Sequence, residues 1–89
     1  MFRDDDDGYE RWLAAHPTGY VLNTRRSPDA SYVKAHAASC HHVTRLQGGY
    51  TTWTSGSYIK VCADSMQELD SWTERSVGVR GERSCGCWG

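Results

Sequence analysis

Ser31-Tyr32-Val33-Lys34-Ala35-His36-Ala37 and Ser57-Tyr58-Ile59-Lys60-Val61-Cys62-Ala63 are the two stretches that decide the fold. They agree at four of seven positions, exchange small or branched apolar residues at two more, and differ in chemistry at one, His36 against Cys62. Both alternate with period 2, the mark of a half-buried β-strand. Two ordinary strands of the same pattern explain the match more simply than a duplication. Alternation places Val33, Ala35 and Ala37 on one face with Tyr32, Lys34 and His36 on the other. In the second stretch Ile59, Val61 and Ala63 oppose Tyr58, Lys60 and Cys62, so His36 and Cys62 fall on corresponding faces.

Working outward, Tyr20 to Thr24 is a β-rich run, and Arg25-Arg26-Ser27-Pro28-Asp29 is a turn with proline and aspartate where turns use them. Val43 to Leu46 has the composition of a further short strand, and Gly48-Gly49 marks a loop. On the N-terminal side, Asp7 and Glu10 form a D-x-x-E capping pattern, and Tyr9, Trp12 and Leu13 share one helical face. Pro17 ends that helix near Ala15. On the C-terminal side, Ser65 and Glu68 form an S-x-x-E capping box ahead of Met66, Leu69 and Trp72, which predicts a helix from Met66 to about Arg75.

The predicted fold is therefore α+β in two layers: two short helices on one face of a three- to four-stranded antiparallel sheet, in the order α-β-β-(β)-β-α. The Val33/Ala35 and Ile59/Val61 face is expected to meet Trp12, Leu13, Leu69 and Trp72. The Tyr32/Lys34/His36 and Tyr58/Lys60/Cys62 face is expected to stay open. Residues 1–6 read as a disordered acidic leader, and residues 7–89 as one domain whose cysteine-containing tail folds back.

The 89 residues leave room for one core only, and 38% hydrophobic residues is a modest supply for it, so a staple is expected. No apolar run approaches the ~20 residues of a membrane span. Composition also excludes collagen, coiled coil and wholesale disorder, and the length excludes a large multi-step enzyme. No secretory signal precedes the Asp4–Asp7 run, which predicts a reducing, cytoplasmic setting. Arginine outnumbers lysine eight to two, a bias that points to a GC-rich bacterial genome.

Four cysteines stand at 40, 62, 85 and 87. In a reducing compartment such a set more often binds metal than forms disulfides. The expected staple is one structural zinc held by Cys40, Cys62, Cys85 and Cys87, with His36 the substitute for one thiol. Independent reduced cysteines and disulfides are the alternatives. Cys40 beside His36, His41 and His42 also has the form of a nucleophile with a base, but nothing in the sequence marks an oxyanion donor or an orienting third group.

The net charge of −1 conceals a basic middle, with residues 1–10 at −4, 11–62 at +5 and 63–89 at −2. On the predicted open face, Tyr32, Tyr58, Lys34 and Lys60 lie near Arg25, Arg26, Arg45 and Trp53. Rings that stack bases among cations that neutralise phosphates are the composition of a sheet-surface nucleic-acid reader. The expected function is a small, non-catalytic, zinc-stabilised module that binds nucleic acid through these eight residues. The alternative is a protein-interaction or structural accessory module, and a thiol- or metal-dependent enzyme comes third. No membrane partner and no small-molecule substrate are indicated.

Overall fold

The computed structural model describes residues 2–40, 43, 53, 54 and 58–83. Strand β1 (Tyr20–Arg25) is the centre of a three-stranded antiparallel sheet, flanked by β2 (Val33–Ala37) and β3 (Tyr58–Ala63) in the order β2-β1-β3. The two matching stretches sit at the same height on either side of β1. Val21 lies between His36 and Cys62, Leu22 between Ala35 and Val61, Asn23 between Lys34 and Lys60, and Thr24 between Val33 and Ile59. Helices α1 (Asp6–Ala15) and α2 (Met66–Val77) complete the α+β fold expected from the sequence.

The helices divide between the faces of the sheet. Leu69 of α2 packs with Leu22, Val33, Ala35 and Val61, and Met66, Trp72 and Val77 join it. Tyr9 of α1 packs with Val21, Ala38, Cys40, Val43 and Trp53 on the opposite face, and Trp12, Leu13 and Cys62 join that cluster. The face expected to be open is thus largely covered, and Trp12 and Leu13 lie on it rather than beside Leu69 and Trp72. The reason is burial on both faces. It lies in the central strand, where the successive residues Val21 and Leu22 are both fully buried, so each face of the sheet is apolar and takes its own helix.

Local chemistry explains the helix ends. Asp5 caps α1 by accepting from Gly8 N–H at 3.0 Å, two residues before the predicted cap at Asp7. Asp5 takes that role because Asp6 is engaged elsewhere, as described below. Ser65 caps α2 as its capping box predicts, accepting from Glu68 N–H at 3.2 Å. The helix stops at Gly78, whose φ of 82° is the left-handed conformation that glycine adopts without strain.

Both sheet edges are covered by single bridges. Phe2 pairs with Lys60 on the outer side of β3, and Glu82 pairs in parallel with Lys34 on the outer side of β2. Residues 2–5, expected as a disordered leader, are therefore held in place. Phe2 N–H donates to Lys60 O at 2.7 Å, Asp4 N–H donates to Thr54 O at 2.8 Å, and the Asp4 carboxylate accepts two bonds from Arg26 at 2.6 and 3.0 Å. Covered edges leave fewer free backbone groups to pair with another chain. The additional strand expected at Val43–Leu46 lies outside the described residues except for Val43. Val43 is helical, and its N–H bonds to Cys40 O at 3.0 Å rather than to a neighbouring strand.

Candidate functional site

His36 and Cys40 come together at the end of β2. His36 is buried on the α1 side of the sheet, and the turn through Ala37, where Cys40 N–H bonds to Ala37 O at 2.9 Å, swings Cys40 back beneath it. Cys40 Sγ lies 3.7 Å from His36 Nδ1. Cys62 shares their face but stands across the sheet, with Val21 between it and His36. Two strand spacings, about 10 Å, separate those backbones. Cys62 is a free thiol. Burial pushes the Cys62 thiol up from 9.0 to about 12, against the pull of Lys60. Among the described residues no three histidine, cysteine or acidic side chains are grouped to hold a metal ion. The expected ligands Cys85 and Cys87 lie outside the described residues.

The eight residues expected to contact nucleic acid separate into distinct environments. Lys60 and Trp53 are buried, with 5% and 8% exposure, so neither presents a cation or a ring to solvent. Lys60 Nζ donates to Asn23 Oδ1 at 2.8 Å and to Trp53 O at 3.0 Å, and lies 6.0 Å from the centre of the Trp53 ring. Arg26 forms an ion pair with Asp4 at 2.6 Å, and Lys34 forms one with Glu82 at 2.5 Å. Arg25 has a loose contact of 3.9 Å with Asp29, both half exposed. Tyr32 and Tyr58 meet with ring centres 4.9 Å apart, and Lys34 Nζ stands 5.7 Å from the centre of Tyr32. Arg45 lies outside the described residues.

Asp6 was not singled out by its sequence context, yet it organises the covered face. Its Oδ1 accepts from Thr54 N–H and from the Thr54 hydroxyl, each at 2.7 Å, and its Oδ2 accepts from Trp53 N–H at 2.9 Å. Partial burial pushes the Asp6 carboxyl up, but the bonds from Thr54 and Trp53 outweigh it and hold the group below the usual carboxylate range. Burial depresses the Lys60 ammonium from 10.5 to about 8, with the Asp6 charge opposing the shift. Tyr9 is fully buried and donates its hydroxyl to Val43 O at 2.7 Å, and burial raises its phenol well above the usual value. The acidic N-terminal stretch is thus partly spent on its own chain, Asp4 on Arg26 at the surface and Asp6 on Trp53 and Thr54 beneath it. No pattern of spacing announces those partners.

A groove of about 410 Å³ runs between α1 and the end of β2, with Leu13, Ala14, Pro17 and Ala38 along it and Glu10 on its polar side. Among the described residues no helix is long and apolar enough to cross a membrane. No protein-family model matches the chain, and no significant match was found among curated proteins or among solved structures.

Proposed function

We propose that this chain is a non-catalytic binding module that takes a base of single-stranded nucleic acid at Tyr32 and Tyr58. The observation that carries the reading is the close pair of half-buried rings, with Lys34 over Tyr32 and Arg25 beside Tyr58 in the strand register. A ring platform with neighbouring cations suits a stacked base and its phosphate. The ion pairs of Arg25 and Lys34 lie near the surface, where such pairs are worth about 0–1 kcal/mol, so a phosphate can compete for these cations. The interface is smaller than the sequence suggests, because Lys60 and Trp53 serve the core.

Fluorescence anisotropy with labelled single-stranded DNA and RNA at low salt tests this. Binding should weaken steeply as salt rises. Tyr32→Ala or Tyr58→Ala should cost about 1–3 kcal/mol of binding free energy. Absence of binding to every oligonucleotide at micromolar protein refutes the reading. A protein-interaction module is then the better account, and the apolar groove beside Leu13, Pro17 and Ala38 is the observation that favours it.

A further inference from the structure

We propose that the Tyr32–Tyr58 platform takes guanine in preference to the other bases, with Lys34 and Glu82 reading its Watson–Crick edge. The inference rests on the nucleic-acid reading above and names the base that the site selects.

The ion pair beside the rings carries it. Bridge partners in a sheet send their side chains to one face, so the Glu82–Lys34 bridge sets a carboxylate beside an ammonium at the outer edge of β2. Lys34 Nζ stands 5.7 Å from the centre of the Tyr32 ring and 2.5 Å from Glu82 Oε2. Arg25 is set apart from that pair, opposite Tyr58 in the register. A base stacked on the rings therefore meets an ammonium and a carboxylate together, with a separate guanidinium for its phosphate. The ammonium has more donors, and the carboxylate more lone pairs, than one ion pair uses. The Glu82 side chain is 57% exposed and that of Lys34 28%, so solvent reaches both groups.

Side by side, Lys34 and Glu82 present one donor followed by two acceptor oxygens. The Watson–Crick edge of guanine is the complement. Its O6 accepts, and its N1–H and 2-amino group donate in parallel, as a carboxylate takes a bidentate partner. Adenine turns an amino group toward the ammonium and an acceptor nitrogen toward the carboxylate. Cytosine also sets its amino group against Lys34, and its N3 and O2 acceptors face Glu82. Thymine and uracil match at O4 and N3–H but turn O2 against the second carboxylate oxygen. Each mismatch leaves like groups opposed, which discriminates more strongly than a missing contact.

The two readers stand on fixed backbone. Lys34 is a strand residue paired with Asn23. Glu82 is bonded to β2 on both sides of its own peptide: its N–H donates to Val33 O at 2.5 Å, and its carbonyl accepts from Ala35 N–H at 2.8 Å. Before it, Gly81 lies so close to the sheet that a Cβ there would stand 3.0 Å from Leu22 Cδ1 and 3.1 Å from Ala35 Cβ. After it, Arg83 bonds Asp70 of α2 at 2.7 Å. Polar groups held at a fixed spacing are what selection between bases of similar size requires.

Fluorescence anisotropy on the full chain at low salt tests this with a labelled oligothymidylate whose central position is guanine, inosine or adenine. Inosine keeps O6 and N1–H but lacks the 2-amino group. The expected order of affinity is guanine, inosine, adenine, with about tenfold or more between the first and the last. Glu82→Gln keeps the backbone bridge and is expected to bind the three probes nearly alike. Equal affinity of the wild type for guanine and adenine, or for guanine and inosine, overturns the inference and leaves the ring platform standing. A guanine preference that survives Glu82→Gln overturns it as well. Binding of no probe removes the platform itself, and the base preference with it. The inosine comparison uses the wild type alone, so it holds whatever the stability of the variant.

Discussion

Replacing Lys60 by methionine changes how stability depends on pH, and the shape of that change follows from the burial of the ammonium. In the folded chain the group titrates near 8 rather than 10.5, with burial the first cause. Below pH 8 the folded and unfolded chains both carry the proton, so the full penalty for burying the charge is present. Between pH 8 and 10.5 the unfolded chain keeps a proton that the folded chain has released, and stability rises with pH. The shift corresponds to a penalty of about 3 kcal/mol, of which about 1 kcal/mol is relieved between pH 8 and 9. Cys62 acts in the opposite sense. Its thiol is raised from 9.0 to about 12, so its contribution is whole below pH 9 and is lost as pH rises from there. The clean window is therefore pH 7 to 9.

Methionine removes the charge but leaves Trp53 O and Asn23 Oδ1 without the Lys60 bonds, at a cost of about 1–3 kcal/mol each. Gain and loss offset each other in absolute stability, so the slope carries the test. Urea unfolding of both proteins at pH 7, 8 and 9 should show the wild type gaining about 1 kcal/mol on Lys60→Met between pH 8 and 9. Parallel profiles would mean that Lys60 titrates at its ordinary value, and would refute the reasoning from burial.

Asp6→Asn turns an acceptor against Trp53 N–H into a donor and should cost about 1–3 kcal/mol at pH 7 by chemical denaturation. The Asp6 carboxyl is held below its usual 3.8, so its contribution is present above that pH and is lost as pH falls through the folded value. The gap between wild type and Asp6→Asn should accordingly narrow in acid. Gly19→Ala would place a Cβ 2.7 Å from Trp12 Cη2 and 3.0 Å from Ala63 O, and Trp12 is stacked on His16 with ring centres 4.6 Å apart. It should destabilise the fold by about 1–3 kcal/mol and alter tryptophan fluorescence; an unchanged spectrum and midpoint would contradict the packing.

Period and punctuation determined the secondary structure. Alternation assigns each side chain of Val33–Ala37 and Tyr58–Ala63 to its face, and the register bears this out for those residues. Ser65-x-x-Glu68 sets the start of α2, and Pro17 follows the end of α1 at Ala15. Alternation is a property of the backbone and survives any tertiary arrangement. Which face each helix covers is not local, since it depends on which apolar faces the assembled sheet leaves to be buried. One signal was present: Val21 and Leu22 are adjacent and apolar, and a strand buried at successive residues is covered on both sides. The partners of the charges were legible only in part. Lys34 and Lys60 occupy equivalent places in matching strands, yet Lys34 reaches Glu82 at the surface while Lys60 is closed in by Trp53 and Phe2. What separates them is the chain that lies against each outer edge, brought there from far along the sequence. A side chain's environment is made by such neighbours, and so the tertiary structure alone decided which cations stay at the surface.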